Sequence, residues 1–245
     1  MNRKRTEKLG LPLAAAVVMA MTGLTHAATL YDFEGQAKTD LDNAGWVFGE
    51  AAGVDWIVTD DPEDATNDVL RQDNGGIDSG SGTPASAGAF AIAPDVVAGP
   101  LQMSVEVRLD SAGSNDDAAV FFGWQDSDNY LFFLLNDNSS NTDIFQVSGG
   151  NRSTLVDTNA ANVATETWLL FELEHNPGAD SLKITLDGIV LYDGTDPEFA
   201  VPGQVGVGSF NDAASFDNLE IIPEPATLAL LGLGGAVMLA GRKRS

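Results

Sequence analysis

Residues 101–109 alternate without a break, with Leu101, Met103, Val105, Val107 and Leu109 apolar and Gln102, Ser104, Glu106 and Arg108 between them. A period of two puts the two sets on opposite faces of an extended chain, so this segment is a strand with one face on a core. Leu182, Ile184 and Leu186 alternate with Ser181, Lys183 and Thr185, and Asp187-Gly188 then supplies the positive-φ pair of a tight hairpin turn into 189–192. Further strands are predicted over 29–33, 56–58, 69–72, 87–92, 142–148, 168–174, 204–210 and 215–222. No long segment carries a 3.6-residue period. Short strands separated by Asn, Asp, Gly and Ser turns predict an all-β, two-sheet antiparallel sandwich. Within 60–86 the pattern breaks into surface loops around the short strand 69–72.

The most apolar hairpin is 118–135, turning at Asp126-Ser127-Asp128-Asn129, whose Asp and Asn side chains stabilise turns by bonding nearby backbone. With Gln125 opposite Tyr130, one side carries Val120, Phe122, Trp124, Leu131, Phe133 and Leu135 and faces the core. The other carries Ala119, Phe121, Gly123, Gln125, Tyr130, Phe132 and Leu134. Two readings of that second side stand together. It lines a concave surface where Phe121, Gln125, Tyr130 and Phe132 receive sugar rings, or both faces are buried as in a central strand pair.

Both ends of the chain read as addresses. Arg3, Lys4, Arg5 and Lys8 precede an apolar stretch over 9–24 and the small-residue site Thr25-His26-Ala27, the pattern of a secretory signal peptide removed by signal peptidase after Ala27. At the other end, Pro223-Glu224-Pro225 precedes an apolar run and the basic cluster Arg242, Lys243 and Arg244. The 16 residues 226–241 span about 24 Å as a helix, short of a hydrocarbon core of about 30 Å. The basic cluster puts the end of this marginal span on the cytoplasmic side, so the bulk of the protein is expected outside the inner membrane. Pro-Glu-Pro, a short apolar helix and a basic tail, in that order, resemble the PEP-CTERM sorting signal. The resemblance implies a Gram-negative envelope protein that passes transiently through the inner membrane, is processed by an exosortase, and is released or moved to the surface in association with exopolysaccharide and biofilm. The expected organisation is a signal peptide over 1–27, one domain over 28–222 and a sorting signal over 223–245.

Composition narrows the chemistry of the central domain. The chain has no cysteine, which excludes disulfides, thiolate nucleophiles and Cys-ligated zinc or iron–sulfur sites. Residues 28–222 hold five basic residues (Lys38, Arg71, Arg108, Arg152 and Lys183) against 34 acidic ones, a net charge of −29. Such a surface repels the phosphate backbone, so no nucleic-acid partner is expected. After loss of His26 the one histidine is His175, which ends a strand just before Asn176-Pro177-Gly178 and reads as a strand-end polar residue. There is no Gly-x-Ser-x-Gly elbow and no phosphate-binding glycine loop.

The run Asp116 to Tyr130 (DDAAVFFGWQDSDNY) resembles the central hairpin of concanavalin A-like jelly-roll domains, laminin-G-like modules among them. Trp168 opening a strand, Leu186-Asp187-Gly188, Gly203-Gln204-Val205-Gly206-Val207 and Phe216-Asp217-Asn218-Leu219 agree with it. The resemblance implies a jelly roll whose first and last strands pair, often with carbohydrate or protein binding. It also implies a structural calcium ion tying those strands, here through Asp32 or Glu34 with Asp217; the alternative is that these are turn and edge carboxylates. Hydrolases of family 16 share the fold and carry Glu-x-Asp-x-Glu on one strand, which this chain lacks. Its nearest approach is Glu172-Leu173-Glu174, two acids on one strand face. The expected protein is therefore a non-catalytic, surface or matrix carbohydrate-binding protein with an exopolysaccharide as partner. The alternatives are a structural or adhesive matrix protein with a calcium-stabilised acidic domain, and a glycan hydrolase.

Overall fold

The computed structural model describes residues 28–49, 55–73, 89–110, 116–137, 142–158, 163–209 and 212–223. The helices expected at the two ends lie outside these residues, as do Glu224, Pro225, Arg242, Lys243 and Arg244; Pro223 ends the last strand. Among the described residues no helix is long and apolar enough to cross a membrane.

Strand formation follows the alternation. In chain order the strands are β1 (Thr29–Tyr31), β2 (Val47–Gly49), β3 (Asp55–Asp60), β4 (Asp68–Asp73), β5 (Ala89–Val97), β6 (Leu101–Leu109), β7 (Asp117–Asp126) and β8 (Asn129–Asn136). They continue as β9 (Asp143–Ser148), β10 (Asn151–Asp157), β11 (Leu169–Asn176), β12 (Ser181–Leu186), β13 (Ile189–Thr195), β14 (Gly203–Ser209) and β15 (Ala214–Pro223). A short helix α1 (Lys38–Asn43) follows β1; its Leu41 is buried and Asp40 accepts the Ala37 N–H at 2.9 Å.

The strands form two antiparallel sheets. The first runs β13-β12-β11-β6-β15-β4-β3, with β1 paired to β15, and the second runs β10-β9-β8-β7-β14-β5-β2. The first and last strands thus pair, Tyr31 opposite Leu219. β6 sits in the middle of the first sheet, where Met103 faces Leu173 on β11 and Ile221 on β15. Its apolar set points inward onto Val120, Phe122, Leu131, Phe133, Val205 and Val207 of the second sheet. Full burial of each such side chain contributes about 1.5–3 kcal/mol. The β12–β13 turn is the predicted tight hairpin, with Asp187 at φ 48° and Gly188 at φ 75°.

Strand β2 and helix α1 were not anticipated, and two further elements departed from expectation for identifiable reasons. β5 continues through Pro94, because the β14 register shifts there, from Gly206 opposite Ile92 to Gln204 opposite Val96, and proline is tolerated at such a bulge. β10 is an edge strand whose first four residues are exposed, so it carries no apolar alternation by which to read it. Two of the domain's five basic residues, Arg71 and Arg108, converge on the buried carboxylate of Asp110. Arg71 Nε lies 3.3 Å from it, Ser215 Oγ donates to it at 2.6 Å, and Arg108 pairs with its other oxygen.

Candidate functional site

The β7–β8 turn is built by its own side chains. Asp126 Oδ1 accepts the Asp128 N–H at 2.8 Å and the Asn129 amide at 2.9 Å, and these bonds hold the Asp126 carboxyl below its ordinary range. Asp126 pairs with Asn129, but the next pair is Phe122 with Leu131, so β7 carries two extra residues between them. Gly123 opens this bulge at φ +58°, and a Cβ there would lie 2.7 Å from the Val201 carbonyl oxygen. The bulge turns Trp124 away from the core side expected for it and onto the outer face, where it stacks on Tyr130 with ring centroids 4.5 Å apart.

Phe90, Phe121, Trp124, Tyr130, Phe132 and Phe145 form one continuous layer of rings on that outer face, with Ile92, Ala119, Leu134 and Val147. β14 contributes no side chain at Gly206 and Gly208, and its neighbours lean across them; a Cβ on Gly208 would lie 2.7 Å from Phe121. Phe121, Tyr130 and Phe132 are consequently 0, 3 and 1% exposed. The expected sugar-stacking surface is thus not presented to solvent by these three rings, which spend their faces on one another. Gln125, the fourth candidate, is exposed.

A groove of about 210 Å³ lies where the β7–β8 turn meets the β9–β10 turn, and it brings Gln125 and Tyr130 together. The two turns are tied by Gly149 N–H to Asn129 Oδ1 at 3.1 Å and Gly150 N–H to the Asp128 carbonyl at 3.0 Å. Asn129, Gln146 and Ser148 add polar groups, and Leu131, Val147 and Val201 add apolar wall. Gln146 and Val201 were not legible beforehand. They belong to segments far apart in sequence, joined here because Gln146 donates to Glu198 Oε2 at 2.6 Å. No carboxylate lines this groove among the described residues.

The acidic candidates sit elsewhere. Asp32 accepts the Glu34 N–H at 3.4 Å, Glu34 accepts the Asp68 N–H at 3.2 Å, and Asp217 accepts from the Asn67 amide at 3.0 Å and the Asn218 N–H at 2.7 Å. Burial pushes the Asp217 carboxyl up, opposed by these bonds and reinforced by Glu106 and Glu34. Each of Asp32, Glu34 and Asp217 thus accepts from its own N–H donor. Among the described residues no group of three or more Asp, Glu or His side chains is placed to hold a metal.

A wider groove of about 440 Å³ crosses the outer face of the first sheet, lined by Gln102, Ser104, Glu172, Glu174, Thr185 and Glu220 among others. Glu174 there is paired with Lys183 at 2.6 Å. His175 stands at the end of β11, as expected, and there it is 1% exposed and faces the interior, its ring edge-on to Phe122 at 5.4 Å.

The arrangement is that of a jelly-roll sandwich. It is similar to the carbohydrate-binding module CBM66 from Bacillus subtilis, at 16% identity and TM-score 0.53 over 72% of this chain and 94% of that one. It is also similar to the cellulose-induced protein Cip1, at 16% identity and TM-score 0.54 over 79% and 96%. Domain 4 of AbnA, an extracellular arabinanase from Geobacillus stearothermophilus solved with arabinotriose, matches at 15% identity and TM-score 0.51 over 79% and 90%. Residues 222–245 match the PEP-CTERM protein-sorting motif, which marks a protein exported and processed at the envelope. No curated protein matches the chain in sequence.

Proposed function

We propose that the chain is an exosortase-processed, non-catalytic carbohydrate-binding protein of the cell surface or matrix, with an exopolysaccharide as its partner. The groove between the β7–β8 and β9–β10 turns is its sugar site. The observation that carries this reading is the groove's composition: three side-chain amides and a hydroxyl set against a wall of Tyr130, Leu131, Val147 and Val201. Amides both donate and accept, which suits vicinal hydroxyls, while the half-buried Val201 offers the apolar contact for a ring; Tyr130, Leu131 and Val147 lie behind it, 1–3% exposed. Non-catalytic binding fits this groove because glycoside hydrolysis needs two carboxyl groups about 5 to 9.5 Å apart across the bond, and no carboxylate lines it among the described residues.

Calorimetric titration of the full-length chain in detergent with arabinotriose and cello-oligosaccharides, beside pull-downs on insoluble polysaccharides, tests the reading. Saturable binding is expected, weakened about threefold to tenfold by Gln125→Ala or Gln146→Ala at unchanged stability. Binding that ignores both substitutions would move the site elsewhere.

The net charge of −29 over 28–222 favours a second reading. In it the domain is an adhesive matrix protein whose acidic surface gathers calcium between neighbouring copies. Calcium-dependent self-association in light scattering, with no glycan bound, would select it.

A further inference from the structure

Between β13 and β14 the chain crosses from the first sheet to the second along the strap 197–203. The strap opens with a single 3-10 turn, Pro197–Ala200, whose start is fixed by Asp196: its carboxylate accepts the Glu198 N–H at 2.9 Å, and its own N–H donates to the Asp180 carbonyl at 2.9 Å. Phe199 is wholly buried, edge-on to Tyr192 at 5.8 Å. On the second sheet, Val201 lines the groove, its carbonyl lies against Gly123, and Glu198 holds Gln146. On the first sheet, the Phe199 carbonyl meets His175 Nε2 at 2.8 Å, in a buried setting. A carbonyl only accepts, so Nε2 carries the proton, and Nδ1, which has no hydrogen-bond partner, holds the lone pair of a neutral ring. An apolar residue would fill the same space without leaving Nδ1 unpaired. What the imidazole adds is a donor for a buried carbonyl.

We propose that His175 is the positioning residue of the groove, its ring N–H pinning the strap that supplies Val201 and holds Gln146 through Glu198. The binding consequence rests on the groove being the glycan site; the tether rests on geometry alone. The residues packed around the ring (Leu101 and Leu182 beside it in the sheet, Phe122 and Phe199 above it) are not titratable. The charged groups around it are Glu174 on its own strand, Lys183 on β12, Asp193 on β13 and Glu198 on the strap; Glu174 pairs with Lys183, and Glu198 holds Gln146. Burial lowers the pKa of His175, opposed by its bond to the Phe199 carbonyl, which a protonated ring would keep; it is the cost of charging a buried ring that favours the released strap as pH falls below the ordinary histidine value of about 6.5.

Hydrogen exchange by mass spectrometry on the full-length chain tests the tether without any ligand. In His175→Leu the strap amides are expected to exchange about tenfold faster or more, with β6 and β11 unchanged, and His175→Gln, which keeps an amide donor, is expected to restore protection. Wild-type strap protection should fall between pH 8 and pH 5 and be flat in His175→Gln. Unchanged strap exchange in His175→Leu would overturn the proposal. Should that variant not fold, an equal pH response in wild type and His175→Gln would overturn it. Arabinotriose affinity is expected to follow strap protection. If the wild type binds no oligosaccharide, the groove reading fails while the exchange result still decides the tether.

Discussion

On the outward face of the first sheet stand Gln102, Ser104, Glu106, Glu172, Glu174, Lys183 and Glu220, half-buried or exposed. On the outward face of the second stand Phe90, Phe121, Trp124, Tyr130, Phe132 and Phe145, of which Phe90 alone is more than 8% exposed. The inner faces of both sheets are apolar, so the contrast is between a sheet buried on one side and a sheet buried on two. In the first, solvent tolerates a change on the outer side and the strand keeps its register through the inner one. In the second, neither side is free to vary. That makes its hairpin a stiff base from which the two turns and the strap can hold amides at fixed positions around the groove.

The sharpest way to break this comparison is to truncate one ring of the outer layer. Phe132→Ala is expected to cost about 3–5 kcal/mol in urea unfolding, as a core phenylalanine does. A loss below about 1 kcal/mol would mean that the layer is an open platform after all. Gly123→Ala comes next, at about 1–3 kcal/mol, since it puts a Cβ against the Val201 carbonyl at a left-handed φ. It should also change Trp124 fluorescence, because the bulge sets the stack on Tyr130.

A pH effect follows from Asp212, whose carboxyl is pushed up to about 6 by burial, then by Asp116 and Asp137. A raised carboxyl favours the folded state while protonated, so this contribution is present below the ordinary value of 3.8 and is lost as pH rises through about 6. Asp212→Asn is expected to flatten that limb of a melting-temperature profile between pH 4 and pH 7. The smallest effect belongs to the first sheet's outer face, where Glu172→Gln should change stability by no more than about 0.5 kcal/mol. A larger loss there would erase the distinction between the two outer faces.

The strands of the first sheet were legible because one-sided burial writes a period of two into β6, β11 and β12, and the Asp187-Gly188 turn marked a hairpin in advance. The second sheet's inner strands were legible as strands but not as faces, and its two edge strands, β2 and β10, were not read at all. When both sides are apolar the alternation vanishes, so whether Phe121, Tyr130 and Phe132 meet sugar or one another is set by what lies beside them. Trp124 was misplaced because its side depends on a two-residue bulge, and the only sign of it was one glycine among several. Of the candidate site, Gln125 and Tyr130 were in hand. Gln146, Val201 and the role of His175 were not, because each is brought to the groove by contacts between distant strands.

What the residues alone determine here is whatever depends on local order: which segments extend, where they turn, the absence of thiol chemistry, the acidic balance and the PEP-CTERM motif at 222–245. Those properties follow from composition and from neighbours along the chain. Tertiary structure decided what depends on neighbours in space: the burial of the ring layer, the separate partners of Asp32, Glu34 and Asp217, and a groove walled by a strap that His175 holds across the sandwich. A side chain's chemistry is written in its residue type, but its exposure and its hydrogen-bond partner are properties of the packing.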